Sequence, residues 1–162
     1  MKILLAVDGS SYSQAAVEEV ARRPWPSRTS IKVLSASELR LDPMAEPWIL
    51  PREEQKILKA QRKQAVATTN DAAEKLRKIS HGKLQVTTEV VEGPPKQVIL
   101  EKAERWGADL IMVGSHGYGA VDRFLLGSVS QAVALHAGCS VEIVRGRRSR
   151  KQKKRSSRRS TK

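Results

Sequence analysis

Lys2-Ile3-Leu4-Leu5-Ala6-Val7-Asp8-Gly9-Ser10-Ser11 opens the chain, and its reading decides the fold. The nearly continuous apolar run over 2–7 suits a strand buried on both faces, because neither side of its pleat then meets water. Asp8 and Gly9 end the run. Ser11, with Gln14 three residues on, has the form of a capping box, and Ala16, Val17 and Val20 then recur on one helical face until Pro24. A buried strand that turns sharply into an amphipathic helix is the first half of a strand-helix-strand unit.

The same alternation continues outward from that unit. Residues 31–36 supply a second strand, and 38–51, with three prolines, read as a surface loop and a candidate cover for a site. Over 52–80 a long helical pattern places Leu58, Ala65, Ala72, Leu76 and Ile79 on one stripe, and Gly82 suits the left-handed position past its end. Leu84, Val86, Thr88 and Val90 alternate as a third strand. Pro94 and Pro95 suit a helix start ahead of Val98, Ile99, Ala103 and Trp106, after which Gly107 turns the chain. Residues 109–113 read as a fourth strand, followed by a glycine-rich segment, a helix over 128–137 and a strand over 141–144. Strands alternating with helices predict a mostly parallel sheet covered on both faces, a doubly wound α/β fold. Ligands of such folds bind beyond the carboxyl ends of the strands, where the strand order reverses.

Composition narrows the class. A chain of 162 residues suits one domain, and 40% hydrophobic with 29% charged residues argues against collagen-like, wholly disordered and disulfide-framework proteins. No apolar run approaches the ~18 residues that span a bilayer, and Asp8 arrives too soon for a signal-peptide core. A cytoplasmic chain is expected. Cys139 stands alone, and His81, His116 and His136 lack zinc-site spacing, so no structural metal is expected. The net charge of +13 is unevenly spread: eleven of the thirty Lys and Arg fall in residues 145–162, which carry no acid. Nineteen bases then face seventeen acids over 1–144, which is close to neutral. The tail has no apolar residue to offset its ordering entropy and is expected to be disordered. The division is therefore a folded domain over 1–144 and a basic tail over 145–162.

The loops at the reversal hold the most informative residues: Val7-Asp8-Gly9-Ser10 after the first strand and Gly114-Ser115-His116-Gly117 after the fourth, continuing to Gly127-Ser128. Through Gly114, then Gly117 after two intervening residues, then Gly127-Ser128 after nine more, the chain resembles the universal stress protein family in its ATP-binding branch. AVDGS near the start and GSVSQAVALHAGCSVEIV near the end extend the resemblance over 1–144. It implies a Rossmann-like, five-stranded parallel sheet in the order 3-2-1-4-5, and a nucleotide held between the first and fourth strand ends. It also implies a homodimer, in which Val141-Glu142-Ile143-Val144 pairs with its own copy in antiparallel register. By position, Asp8 resembles the family aspartate near the ribose and phosphates, and Ala36 the site whose backbone meets adenine. Val113 and Gly114 would line the sugar and phosphate side. Gly117, Gly127, Ser128 and Val129 would surround the triphosphate of ATP, with Mg2+ accompanying it and Ser130 a further candidate. Two features depart from the family: Ser140 stands where proline is usual, and the basic tail lies outside the pattern.

The residues read independently agree with an anion site. Glycines at 114, 117 and 127 permit positive φ and close approach of backbone N–H groups to phosphate, and Ser128 adds a hydroxyl where the helix dipole favours an anion. Neither G-x-x-x-x-G-K-S/T nor G-x-G-x-x-G is present. Asp8 reads equally as a cap for its turn, His116 as an exposed loop residue rather than a catalytic one, and Cys139 as a small core residue. Three functions fit: an ATP-dependent regulatory protein with no catalytic residue; a slow Mg-dependent ATP hydrolase or self-phosphorylating enzyme; and a binder of nucleic acid or anionic surfaces through the tail.

Overall fold

The computed structural model describes residues 1–37, 51–117 and 126–146, without the side chains of 37 and 51–54. Its elements are β1 (Lys2–Ala6), α1 (Ser11–Arg22), β2 (Ser30–Ser37), α2 (Pro51–Ile79), β3 (Gln85–Glu92), α3 (Pro95–Trp106), β4 (Leu110–Gly114), α4 (Ser128–His136) and β5 (Ser140–Val144). The five strands form one parallel sheet in the order β3-β2-β1-β4-β5. β1 is central, with Ile3 opposite Ile31 on one side and Leu110 on the other. Its apolar run is used on both faces. Ile3, Leu5 and Val7 join Ala16, Val17, Val20, Ala73 and Leu76 beneath α1 and α2. Leu4 joins Leu34, Ile111 and Val113 against Val98, Ile99, Ala103 and Val133 of α3 and α4.

Several helix boundaries depart from the sequence expectation in instructive ways. The cap of α1 is Ser10 rather than Ser11: its backbone is extended and its Oγ accepts from the Ser13 N–H at 3.2 Å. Gly9, at φ 84°, turns the chain sharply enough that the helix begins one residue early relative to a Ser11 cap. On α2 the buried positions are Ala65, Thr69, Ala72, Ala73 and Leu76, a 3.6-residue stripe, whereas Ile79 is 47% exposed. Ile79 belongs to the last turn before the reversal through His81 and Gly82, both at positive φ, and the stripe ends at Leu76. Leu58 is only half-buried. The surface loop expected over 38–51 lies outside the described residues except Pro51, which starts α2. α3 follows the sequence closely, with Pro95 in its first turn and Gly107 at φ 64° donating to the carbonyls of Ala103 and Glu104.

Polar ties fasten the outer strands. The Arg23 guanidinium grips Glu142 of β5 with two hydrogen bonds of 2.6 Å, and Trp25 Nε1 donates to the Val20 carbonyl at 2.7 Å. On the opposite flank Glu89 of β3 accepts from Lys102 of α3 and lies 3.0 Å from Lys32 of β2. The Lys102 hydrogen bond chiefly, and then Lys32, holds the Glu89 carboxyl below the usual carboxylate range. A carboxyl depressed in the folded state contributes stability above its unfolded pKa, near ~4.3, and that contribution is lost as pH falls through the folded value. Glu89→Gln is therefore expected to lower the urea midpoint at pH 7, by less than about 1 kcal/mol in stability. Parent and variant should converge in acid; a gap in urea midpoint that persists there would show the ion cluster is not responsible. Cys139 is half-buried against the second core cluster, and burial, with the charge of Asp109 adding to it, pushes its thiol pKa up. That agrees with a packing role. No helix among the described residues is long and apolar enough to cross a membrane.

Candidate functional site

The chain runs β1 to β2 to β3 in one direction across the sheet and then returns to place β4 on the other side of β1, so the strand order reverses between β1 and β4. A crevice must open there, because the connections leave the two carboxyl ends in opposite directions. Three segments frame it: the turn from Asp8 to Ser10, residues 115–117 after β4, and the first turn of α4. Between them lies a cavity of about 340 Å³, within the size range of small-molecule sites.

Serine side chains and tight backbone hydrogen bonds set these segments. Asp8 Oδ1 accepts from the Ser10 N–H at 3.0 Å, and Ser13 Oγ reaches the Asp8 N–H at 3.4 Å. Ser115 is buried and acts as a hub: its N–H donates to the Val144 carbonyl at 2.8 Å, and its own carbonyl accepts from Gly127 N–H at 2.9 Å and Ser130 Oγ at 3.0 Å. Residues 115 and 127 are thereby pinned together. Ser115 Oγ lies 3.0 Å from His116 Nδ1, and the His116 ring packs 4.9 Å from that of Tyr12.

Every candidate named from the sequence lines this one cavity. Asp8, Val113 and Gly114 sit at the β1 and β4 ends, and Ala36 at the end of β2. Gly117, Gly127, Ser128, Val129 and Ser130 line the same space from the end of the segment after β4 and the start of α4. Leu34, Pro95 and Ile99, which the loop motifs did not single out, add an apolar wall beside Ala36. His116 also lines the space.

The three glycines act differently from the expectation of positive φ: Gly9, Gly82, Gly93 and Gly107 are the described glycines with positive φ, and 114, 117 and 127 are not among them. What they provide is room. A Cβ at Gly114 would lie 2.6 Å from the backbone carbon of Tyr12 and 2.7 Å from Ser13 N, so this glycine lets α1 press against β4. At Gly127 it would lie 3.1 Å from His116 Cα, and at Gly117 2.9 Å from Asp8 Oδ2. Gly117 therefore keeps open the space beside the carboxylate.

Chemically the cavity has two ends. One is apolar, formed by Leu34, Ala36, Pro95 and Ile99. The other is the start of α4, capped by Gly127 without a side-chain hydrogen bond, where the N–H groups of the first turn have no partner within the helix. Those groups and the helix dipole favour an anion. Among the described lining residues there is no Lys or Arg, and Asp8 is the carboxylate. No group of three or more His, Cys, Asp or Glu that could hold a metal occurs among the described residues.

A five-stranded parallel sheet with a half-apolar, half-amide cavity at its reversal defines a doubly wound α/β domain of the Rossmann-like kind. The model of the Universal stress protein family matches residues 1–145, and the chain belongs to that family. It is 33% identical over 150 residues to a putative universal stress protein of Staphylococcus epidermidis, covering 88% of this chain and 82% of the relative. Among solved structures, universal stress protein UspA from Lactobacillus plantarum superposes with a TM-score of 0.71 at 26% identity, covering 90% and 97% of the two chains. A universal stress protein family member from Arabidopsis thaliana, solved with AMP bound, shares the fold with a TM-score of 0.66 at 19% identity and covers 94% of each chain.

Proposed function

We propose that this chain is an ATP-binding universal stress protein that acts as a nucleotide-dependent regulatory dimer. The observation that carries the reading is the convergence of Asp8, Ala36, Gly117, Gly127 and Ser128 on one cavity whose apolar end suits a base and whose helix N-terminus suits phosphates. The AMP held by the Arabidopsis family member supports an adenine nucleotide as the ligand class. In this reading Ala36, Leu34 and Ile99 flank adenine, Val113 and Gly114 border the sugar, and Gly117, Gly127, Ser128, Val129 and Ser130 surround the phosphates.

Mg2+ fits the donor set in one way. Asp8 beside a triphosphate is two anions in contact, and a hard cation taking Asp8 and phosphate oxygens relieves their repulsion. When bound, the ion would neutralise phosphate charge; Asp8 would hold it, and the α4 amides would orient the phosphates. Calorimetric titration with Mg-ATP, together with mass analysis of any ligand released on denaturing unheated protein, tests the assignment. Saturable one-to-one binding of ATP supports it, whereas no heat and no co-purified nucleotide reject it.

The dimer follows from the other edge of the sheet. β5 pairs with β4 on one side, and Val141, Glu142, Ile143 and Val144 are each half-buried in the single chain. An edge strand with unpaired backbone groups is completed by a second copy around a two-fold axis. Ile143→Lys should convert dimers to monomers in light scattering at micromolar concentration; a parent that is already monomeric there removes the proposal.

A further inference from the structure

A second cavity, of about 320 Å³, opens between α1 and α2, on the face of the sheet that these two helices cover. Its floor is apolar: Val7 just past β1, Val17 of α1 and Ala72 of α2, all three buried. Gly9 and Ser13 on one side and Ala72 on the other are too short to close the gap between the helices. The polar part of the lining is Gln14 of α1 with Gln64, Thr68, Asp71 and Lys75 of α2. Val7 and Ser13 also line the first cavity, so the two spaces share a wall.

The charges of this lining are not matched within it. Asp71 precedes Lys75 by four residues on α2, the order and spacing that favour an ion pair along one helix face. That pair does not form. Lys75 Nζ instead crosses to Glu18 Oε1 of α1 at 2.9 Å and ties the two helices together beside the cavity. Asp71 has no hydrogen-bond or ion-pair partner for its carboxylate, and the side chains of Gln14, Gln64 and Thr68 likewise make no hydrogen bond to the protein. A carboxylate only accepts, and amide and hydroxyl oxygens accept beside it. With the Lys75 charge committed to Glu18, the cavity offers acceptors and one uncompensated negative charge above an apolar floor.

We propose that this cavity is a second ligand site, for a small organic cation. Its ammonium or guanidinium head is held by Asp71 with Gln14, Gln64 and Thr68, and its alkyl chain lies on Val7, Val17 and Ala72. N–H groups of a cation donating to a carboxylate make hydrogen bonds of the stronger, charge-assisted kind, and covering the apolar floor adds the hydrophobic contribution of the chain. The site is independent of what the first cavity binds.

The test titrates the full chain with n-butylguanidinium and with n-butylurea, a neutral molecule of nearly the same shape, in about 0.15 M salt, following amide chemical shifts. Butylguanidinium is expected to give saturable shifts at Gly9, Gln14, Thr68 and Asp71 in the millimolar range, and butylurea to bind about tenfold more weakly. Asp71→Asn should weaken butylguanidinium by about tenfold. Glu74→Gln removes the same charge from an exposed position of α2 outside the cavity and should leave its affinity unchanged. Thr68→Phe, at a half-exposed position that need not disturb the core, should fill the space and abolish binding of both molecules. The proposal is overturned by the absence of saturable shifts in the unaltered chain, by equal affinity for the two molecules, by equal losses in Asp71→Asn and Glu74→Gln, or by undiminished binding to a folded Thr68→Phe variant.

Discussion

Gly114→Ala is expected to destabilise the domain by about 3 kcal/mol, at the upper end of what inserting one methyl into a packed interior costs. The added carbon would meet Tyr12 C at 2.6 Å, Ser13 N at 2.7 Å and Tyr12 O at 2.8 Å, and all three atoms are backbone. No rotamer change can relieve the contact. Either α1 slides away from β4 or β4 bends, and each movement separates Ala16, Val17 and Val20 from Ile3, Leu5 and Met112 in the core beneath α1. With domains stable by roughly 5–15 kcal/mol, such a loss is a large fraction of the total. Urea denaturation at neutral pH is the measurement. A change of under about 1 kcal/mol would show that α1 yields easily there, and that Gly114 matters only through the cavity it borders.

The same glycine shows what was legible from the residues and what was not. The strand-helix alternation and the parallel, doubly wound class followed from patterns that are local in sequence, the apolar run over 2–7 and helical stripes at 3.6-residue spacing, whereas the strand order came with the family resemblance. The spacing from Gly114 to Ser128 brought the family resemblance and with it the candidates that meet at the cavity. The purposes of Gly114 and Gly117 depended on contacts between segments about a hundred residues apart. Gly114 faces the backbone of α1 and Gly117 faces Asp8, and no local pattern distinguishes those roles from a need for positive φ. Leu34, Pro95 and Ile99 were equally hidden, since an apolar residue at a strand end or in a first helical turn reads as core until the crevice is built. Ser10 and Ser115 stood in the quoted loops without a role, because serines in loops have many uses, and only the fold shows their hydrogen bonds to be internal. On α2 the stripe was read one turn too far, to Ile79, and passed over Thr69 and Ala73, whose small side chains carry little periodic signal yet are almost wholly buried.

Gly117→Val should abolish nucleotide binding, with a loss of at least about 100-fold, equivalent to some 2.8 kcal/mol, while leaving stability nearly unchanged. The two readouts separate because Gly117 is exposed at the end of its segment and does not occupy a positive-φ position, so valine brings no core clash and little backbone strain. Binding is another matter. The new Cβ would lie 2.9 Å from Asp8 Oδ2, while Asp8 Oδ1 is engaged by the Ser10 N–H at 3.0 Å. The carboxylate must leave its turn or residues 115–117 must move outward, and either movement disturbs the side of the cavity where Asp8 and the α4 amides face each other. Asp8→Ala added to Gly117→Val removes the clash but also the proposed ion-holding group. The double variant should therefore recover adenosine binding while remaining weak toward Mg-ATP. Calorimetry on all three proteins, with urea midpoints as the control for folding, decides the matter. Retention of full ATP affinity by a folded Gly117→Val variant would mean that phosphates do not occupy the space between Asp8 and the start of α4.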